Sequence, residues 1–312
     1  MRRARLFFPV PGIWSKFYRV SKLLYYFNCA AKSLTRSGRR CPSCGSPVSA
    51  PVDRKWLITS LRRCASCRLL FRAPSFSPGE NDRFYQERYS SNSTTELPGE
   101  SELRELLSAG FRGHPKNCSA YFGVLEALGA LPGGRLLDFG CSWGYGSWQL
   151  RAAGYRVEAY EISARRAAYA REKLRIPVLP EPVFLPGNYD IFFSSHVIEH
   201  VPSVAGMIET GLRALRPGGL FIAFTPNPSL EQPRADGADF RRMWGYAHPQ
   251  LIDREFIEAL PCPSLIALSS PYDLDCLRDW DGRSRLIEPM AGPEILLAIR
   301  SPRVDTNASG IN

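Results

Sequence analysis

The chain has 312 residues, 44% of them apolar, which is enough to bury the core of one large domain beside a small one. A formal net charge of +10 at pH 7 favours an acidic partner such as nucleic acid, an anionic membrane surface, or an anionic glycan or nucleotide-linked substrate. The nine cysteines are odd in number, and four of them lie in tight pairs, which argues against a disulfide framework and indicates a reducing, cytoplasmic location.

The N-terminal segment, residues 1–40, mixes basic and aromatic side chains. Its longest uncharged stretch after the first prolines, Leu23 to Ala31, is too short to cross a bilayer. At helical spacing one side of the segment is aromatic and apolar, with Trp14, Phe17, Tyr18, Leu24 and Tyr25. Such a helix can lie on an anionic membrane, and the more common alternative is a segment packed on the body of the protein. Peripheral membrane contact through residues 1–40 is therefore one of two interpretations.

Two C-x-x-C pairs follow, Cys41/Cys44 and Cys64/Cys67. Each pair places two sulfurs on one tight turn, and two such turns supply the four thiolates that Zn²⁺ prefers. Because four ligands fill the coordination sphere, this zinc would be structural and would hold together a module too small to fold around its own core. The sequence predicts a zinc ribbon over residues 41–72.

A linker or cap is predicted for residues 73–113, a larger α/β domain for residues 114–302 and a tail for residues 303–312. Within the domain, "GGRLLDFGCSWGYGSWQLRAAGYRVEAYEIS" begins with a buried strand from Arg135 to Phe139, turns through a glycine-rich loop and continues into a helix. A second strand runs from Arg156 to Ile162. This βαβ pattern is typical of a parallel sheet, and Glu161 at the end of the second strand can accept hydrogen bonds from both hydroxyls of a ribose.

The charge beside the loop distinguishes two kinds of ligand. A pyrophosphate needs the bare N-terminus of the helix, whereas Asp138 stands before the loop and would repel phosphate. S-adenosylmethionine has no phosphate and carries an ammonium and a sulfonium, both of which a nearby acid favours. The residues therefore indicate a site for a methyl donor.

From about Tyr121 to Arg300 the chain resembles the class I S-adenosylmethionine-dependent methyltransferases. Four motifs stand in the order of that family: "LLDFGCSWG", "YEIS", "YDIFFSSHVIEHV" and "LRALRPGGLFIAFTPN". The resemblance implies a doubly wound, Rossmann-like sheet that is mostly parallel, with an antiparallel seventh strand, "EILLAIRS". It also implies that S-adenosyl-L-methionine is the cofactor.

The same resemblance assigns roles to residues of the cofactor site. Asp138, Gly140 and Gly144 would shape the methionine end, and Glu161 would hold the ribose. Ser142 replaces the middle glycine of the family's loop, which predicts a wider loop. Two more candidates follow by position: Ser195 closes the site with His196 at the end of strand four, and Glu181 lies at the adenine edge or is a surface acid.

The stretch "SSHVIEHVP" places two histidines and a glutamate close together. Its H-x-x-E-H spacing would need a continuous helix to form a metalloprotease site, and Pro202 prevents that helix. Ubiquinone-pathway O-methyltransferases and small-RNA 2′-O-methyltransferases carry E-x-x-E-H here and bind a divalent cation, the RNA enzymes with a later histidine. In this chain His196 replaces the first glutamate, and Glu199, His200 and the later His248 remain. The cluster could hold a second divalent cation, supply a general base, or brace the loop, and the sequence leaves all three roles open.

The four-cysteine segment before the catalytic domain resembles methyltransferases that act on sugars in surface-polysaccharide or secondary-metabolite pathways. The predicted function is O-methylation of a small-molecule, glycan or nucleotide-sugar acceptor. An RNA methyltransferase that uses the ribbon and the basic surface is the alternative, because +10 suits a phosphate backbone. A third hypothesis is a non-catalytic binding module on a methyltransferase fold, which rests on Ser142 and on the unusual His196.

Overall fold

The computed structural model describes residues 29–33, 37–55, 58–75, 77–87, 96–182, 185–228, 240–241, 243–245 and 248–302. Its helices are α1 (Pro78–Glu87), α2 (Glu100–Ala109), α3 (Ser119–Ala127), α4 (Tyr145–Ala152), α5 (Ala164–Leu174), α6 (Val204–Ala214), α7 (Arg254–Ala259) and α8 (Leu274–Asp279). Its strands are β1 (Ser49–Lys55), β2 (Thr59–Cys64), β3 (Leu70–Ala73), β4 (Arg135–Phe139), β5 (Arg156–Tyr160), β6 (Val178–Leu179), β7 (Tyr189–Ser195), β8 (Leu215–Pro226), β9 (Gln250–Leu251), β10 (Leu265–Ser269), β11 (Arg285–Ile287) and β12 (Glu294–Arg300).

The larger sheet has eight strands in the order β11-β10-β12-β8-β7-β4-β5-β6. Strands β4 to β8 are mutually parallel, and β12 runs antiparallel to both β8 and β10. The strand order reverses on either side of β4, which is the arrangement of a doubly wound sheet. The predicted fold class is confirmed, including the antiparallel strand at the position expected for strand seven.

The sheet is buried on both faces because its central strands carry apolar side chains at nearly every position. Successive side chains of a strand point to opposite faces, so Phe192 and Phe193 enter two different cores. On one face Phe192 stacks on Phe221 at a centroid distance of 5.1 Å, and α6 and α7 cover them. On the other face Phe193 packs with Phe224 beneath α3, α4 and α8. Each fully buried phenyl ring contributes roughly 1.5–3 kcal/mol.

The smaller sheet is antiparallel, with the order β1-β2-β3-β9. Its first three strands come from the predicted zinc ribbon, and the fourth comes from the distant segment that follows β8. Cys41, Cys64 and Phe71 belong to the same buried cluster as Ile198 and Phe256 of the large domain. The ribbon therefore shares a core with the α/β domain.

Two helices occupy much of the stretch predicted to be a linker or cap. Helix α2 is amphipathic and buries Leu103 and Leu106 in a cluster with Trp143 behind the glycine-rich loop. Helix α1 lies against the end of β5, where Gln86 contacts the backbone of Ile162. Both helices thus pack near the carboxyl ends of the parallel strands β4 and β5.

Among the described residues, no helix is long and apolar enough to cross a membrane. The predicted basic aromatic helix around Trp14 to Tyr25 and the tail at 303–312 lie outside the described residues. The assignment of the chain to separate segments at residues 40, 72, 113 and 302 remains a prediction.

Candidate functional site

The glycine-rich loop between β4 and α4 is held in a tight, left-handed path. Gly140 and Gly144 have φ angles of 86° and 90°, and a Cβ atom built on Gly140 would lie 2.4 Å from the side chain of Val197. Ser142 also has a positive φ, 52°, so this serine adopts the conformation that the family's glycine would supply. Its backbone N–H donates to Glu161 Oε2 at 2.8 Å, which ties the loop to the end of β5.

Glu161 stands immediately after β5 and is fixed by two backbone hydrogen bonds. Ser142 donates to Oε2 and Ser163 donates to Oε1, both at 2.8 Å. Burial raises the pKa of this carboxyl, and the hydrogen bond from Ser163 and the charge of Arg166 oppose that rise. Each carboxylate oxygen keeps a second lone pair, so Glu161 can still accept one hydroxyl on each oxygen. This is the geometry that its predicted role at a ribose requires.

Asp138 lies on β4 beneath the loop and is only 4% exposed. It accepts a hydrogen bond from Ser147 Oγ at 2.5 Å, and within the described part of the chain no cationic side chain forms an ion pair with it. Burial raises the pKa of Asp138 to about 7, and the charge of Glu161 adds to the rise. The carboxyl groups of Asp138 and Glu161 together favour a cationic ligand at the ends of β4 and β5.

The two remaining candidates for the cofactor site differ in their surroundings. Glu181 is exposed, two residues past the end of β6. Ser195 ends β7, and its hydroxyl donates to the hydroxyl of Tyr121 at 3.3 Å. The assignment of Glu181 to the adenine edge and the role of Ser195 in closing the cofactor site remain predictions.

The HVIEH stretch forms a turn at the carboxyl end of β7 rather than a helix. His200 N–H donates to the carbonyl of Val197 at 2.8 Å, and the chain enters α6 only at Val204, after Pro202. His196, the first residue of the turn, has a positive φ of 54°. Such backbone strain in a non-glycine residue is concentrated at functional sites. The turn excludes the helical metalloprotease arrangement.

Glu199 is the most deeply buried acid of this turn, at 1% exposure. Its Oε2 accepts a hydrogen bond from Thr225 Oγ1 at 3.1 Å, whereas Oε1 is buried and accepts none within the described chain. That Oε1 lies 3.7 Å from His196 Nδ1 and 3.7 Å from His200 Nε2. Burial alone would raise the pKa of Glu199. The neighbouring imidazoles, above all that of His196, outweigh this effect and lower the pKa to about 2. A buried carboxylate oxygen without a hydrogen bond is costly unless another ligand occupies it.

His248 joins this group from a distant part of the chain. Its Nδ1 lies 2.8 Å from the carbonyl oxygen of Met243, which can only accept, so Nδ1 carries a hydrogen and the neutral form of the ring has its lone pair on Nε2. The rings of His248 and His200 meet edge to face at 4.7 Å. One ligand atom from each of Glu199, His200 and His248 lies within 4.8 Å of the others. One carboxylate and two imidazoles form a donor set suited to a divalent transition metal.

His196 lies between this triad and the start of β12, with its Nδ1 3.7 Å from Glu199 Oε1. Its Nε2 lies 3.5 Å from Glu294 Oε1, and Glu294 accepts hydrogen bonds from the hydroxyls of Tyr121 at 3.1 Å and Tyr272 at 3.0 Å. Desolvation lowers the pKa of His196, but the carboxylates of Glu199 and Glu294 outweigh it and raise the pKa overall. Burial raises the pKa of both tyrosines, so they are neutral hydrogen-bond donors.

Sequence reasoning missed Tyr121, Tyr272 and Glu294, because none of them belongs to a motif. One signal was available for Glu294. It begins the antiparallel strand β12, and the start of an antiparallel strand lies at the same edge of the sheet as the carboxyl ends of the parallel strands.

The four cysteines of the ribbon come together as the spacing predicts. Their sulfurs lie within 4.8 Å of one another, with Cys41 3.6 Å from Cys67 and Cys44 3.5 Å from Cys64. Four sulfurs bound at about 2.3 Å around a tetrahedral ion would lie about 3.8 Å apart. The cluster therefore has the dimensions that zinc requires.

Residues 116–260 match a family model described as a methyltransferase domain. The matched residues, 145 of the 312, form a methyltransferase domain, and some of the proteins that the chain resembles are named S-adenosylmethionine-dependent methyltransferases. The ubiquinone biosynthesis O-methyltransferase of Bordetella pertussis is 28% identical to this chain over 167 residues, which cover 49% of this chain and 66% of the relative. The protein of the same name from Paramagnetospirillum magneticum is 31% identical over 121 residues, covering 36% of this chain and 49% of the relative.

The chain thus spans between 49% and 66% of the length of these curated relatives. Among solved structures, phosphoethanolamine N-methyltransferase 2 of Haemonchus contortus in complex with S-adenosyl-L-methionine is similar to this chain with a TM-score of 0.49 at 15% identity. The similarity covers 75% of this chain and 63% of that one.

The residues at the carboxyl ends of β4 and β5 fit S-adenosylmethionine as a cofactor. S-adenosylmethionine carries an ammonium and a sulfonium, and Asp138 is a buried acid that lacks a cationic partner in the described chain. Glu161 keeps free lone pairs for hydroxyls, and the left-handed loop from Gly140 to Gly144 lets the backbone approach the ligand closely. These residues would hold S-adenosylmethionine.

Proposed function

We propose that the protein is an S-adenosylmethionine-dependent O-methyltransferase that acts on a hydroxyl held by a divalent cation at Glu199, His200 and His248. The observation that carries this proposal is the buried Glu199 Oε1, which accepts no hydrogen bond in the described chain and faces two imidazoles at the carboxyl end of β7. Burying a carboxylate oxygen without a hydrogen bond costs free energy, and a cation would satisfy this oxygen together with the lone pair of His248.

The two halves of the site would have separate tasks. When bound, S-adenosylmethionine supplies an electrophilic methyl group on its sulfonium, and Asp138 and Glu161 would orient the molecule from β4 and β5. A divalent cation acts as a Lewis acid that lowers the pKa of an acceptor hydroxyl and fixes its position. Because attack on a sulfonium methyl needs mainly an aligned nucleophile, this fixed position would supply much of the acceleration.

The acceptor proposed is a sugar, a glycan or a nucleotide-linked sugar. A wall of polar groups stands beside the triad: Ser195, His196, Glu294 and the hydroxyls of Tyr121 and Tyr272. His196 is 47% exposed and Glu294 18% exposed at the side chain, so both can reach a ligand from solvent. A wall of hydrogen-bonding groups favours an acceptor with several hydroxyls over an apolar one. The net charge of +10 further favours an acceptor that carries phosphate.

We also propose that Cys41, Cys44, Cys64 and Cys67 hold a structural zinc. The distances between their sulfurs support this, and four thiolates leave no open position for chemistry.

The test uses methyl-labelled S-adenosylmethionine, purified protein whose ribbon zinc is verified by native mass spectrometry, and added Mg²⁺ or Mn²⁺. Sugars, nucleotide-sugars, a catechol and RNA serve as acceptors. We expect cation-dependent labelling of a sugar, a loss of at least about a hundredfold in Glu199→Gln, and a methyl-donor affinity within about twofold of wild type. Glu209→Gln, the same change at an exposed position on α6, is the matched control.

Labelling that persists without added cation and in Glu199→Gln would overturn the metal-assisted mechanism. Labelling of the catechol or of RNA instead of the sugars would overturn the acceptor class. Labelling of RNA that disappears at high salt would support the alternative of an RNA methyltransferase.

A further inference from the structure

The described residues between 240 and 251, which we call the His248 segment, contact the zinc ribbon as well as the methyltransferase domain that contains them in sequence. Strand β9 of this segment pairs antiparallel with β3, with Leu251 opposite Leu70 and Gln250 opposite Phe71. The N–H of Arg72 donates to the carbonyl of Pro249 at 2.7 Å, directly beside His248. The segment therefore forms the fourth strand of the ribbon's sheet.

Contacts with β1 fix the other end of the segment. The indole N–H of Trp244 donates to Asp53 Oδ2 at 3.0 Å, and the Nζ of Lys55 lies 4.3 Å from the centre of the same ring. Arg241 donates to the carbonyl of Arg54 at 2.6 Å. Trp244 is 2% exposed and packs in a cluster of ribbon side chains. These contacts bracket Met243, whose carbonyl sets the tautomer of His248.

The segment meets the HVIEH turn along its opposite edge. Gln250 N–H lies 3.4 Å from the carbonyl of Glu199, and the side-chain amide of Gln250 donates to the carbonyl of Val201. Glu199 and His200 thus come from the turn after β7 of the methyltransferase domain, whereas His248 lies just before β9, which belongs to the sheet of the ribbon. By contrast, within the described chain the hydrogen bonds of Asp138 and Glu161 involve no ribbon residue.

We propose that the zinc ribbon is half of the active site: through β9 and the contact between Asp53 and Trp244, it positions His248 as the third member of the triad with Glu199 and His200. Asp53 and Trp244 are positioning residues under this proposal, since they act on the acceptor side only through His248. The cation at the triad rests on the proposed function, but the placement of the His248 ring does not.

The test measures the imidazole of His248 directly, in the full-length protein. The chain has four histidines, His114, His196, His200 and His248, so ¹⁵N-labelled histidine gives a spectrum in which each ring and its tautomer can be assigned with His→Gln variants. In the wild type we expect His248 as the single tautomer with hydrogen on Nδ1. In Asp53→Ala we expect a mixture of tautomers for His248 while His114 is unchanged.

Metal and methyl-donor affinities give the functional readout of the same variant. We expect Asp53→Ala to weaken Mn²⁺ binding at the triad about tenfold or more, with S-adenosylmethionine affinity within about twofold of wild type. Asp53→Asn keeps an oxygen that can accept from the indole of Trp244, so it should restore most of the affinity. Glu100→Ala, which removes a surface ion pair with Lys173, is the matched control. Native mass spectrometry must find one zinc in every variant.

The outcomes separate this inference from the function on which it builds. If the wild type binds no Mn²⁺, the proposal of a cation at the triad is wrong. The tautomer of His248 would still show whether the ribbon positions its ring. An unchanged His248 ring in Asp53→Ala, with zinc retained, would overturn the inference even where the enzyme is active. If Asp53→Ala loses its zinc, Trp244→Phe, which removes the indole N–H, takes its place. It is judged by the same ¹⁵N-histidine spectrum and the same native mass spectrum.

Discussion

Asp138 is a buried carboxyl whose charge state should control binding of the methyl donor. Its pKa of about 7 in the free protein means that it is largely protonated below pH 7. The ammonium and sulfonium of S-adenosylmethionine favour the ionised form, so binding at low pH must expel a proton. For a pKa of about 7, the ionised fraction, and with it the affinity, should rise about fifteenfold between pH 5.5 and pH 7.0. The amino group of the methyl donor stays protonated in this range.

Isothermal titration calorimetry in buffers of different ionisation enthalpy measures both the affinity and the released proton. We expect Asp138→Asn to bind more weakly at pH 7 and to lose the steep pH dependence. Asp279→Asn, the same substitution at an exposed position, should keep it. If Asp138→Asn retained the wild-type slope, another group would be responsible.

Glu294 should matter for turnover although no motif marks it. It holds the hydroxyls of Tyr121 and Tyr272 and faces His196, so Glu294→Gln should misplace a ring that borders the acceptor. We expect kcat to fall about tenfold or more while the affinity for the methyl donor is unchanged. Steady-state kinetics with both substrates would show it, with Glu288→Gln, a residue of the preceding loop, as control. An unaltered kcat would make the network purely structural.

At the scale of elements, helix α1 connects the two halves of the site through consecutive residues. The ring of Tyr85 meets His200 edge to face at 6.4 Å, and Gln86 donates to the carbonyl of Ile162 at 2.6 Å and accepts from Ala164 N–H at 3.2 Å. These hydrogen bonds hold the backbone one and three residues after Glu161. We predict that Gln86→Ala weakens binding of S-adenosylmethionine about three- to tenfold, the effect of one or two partly exposed hydrogen bonds. Calorimetry of Arg83→Ala, an exposed neighbour on the same helix, should give the wild-type affinity; equal weakening in both variants would point to the helix as a whole.

The elements also divide into those that the sequence predicts and those that it does not. The strand–loop–helix–strand around Asp138 and Glu161 is predictable because glycine, buried strands and helix period are local signals. The confirmed antiparallel strand β12 follows from the family's motif order. Strand β9 has only two residues and forms only because β3 offers it an edge, so no local pattern marks it. The group of polar side chains around Glu294 likewise depends on contacts between distant segments. Ser142 shows that a residue other than glycine can adopt the positive φ angle that the loop requires.

At the scale of the whole molecule, the ribbon and the methyltransferase domain should unfold together. Cys41, Cys64 and Phe71 share one buried cluster with Ile198 and Phe256. Across the same boundary Arg63 donates through both Nη atoms to Asp253, at 2.6 and 3.2 Å. Because neither part keeps a complete core without the other, loss of zinc should destabilise the entire chain rather than release one module.

Cys67→Ser tests this cooperativity, since it removes one thiolate from the cluster. Differential scanning calorimetry should show a single transition in the wild type, lowered by about 10 °C in the variant, the shift that a loss of several kcal/mol causes in a domain of this size. Cys262→Ser changes a half-buried cysteine at the edge of the same core and should shift the midpoint by only a few degrees. Two separate transitions in the variant, with the upper one still raised by S-adenosylmethionine, would mean that the ribbon folds as an independent unit. In that case the ribbon would not position His248, because a module that unfolds without affecting the methyltransferase domain cannot fix β9 and the histidine in that domain.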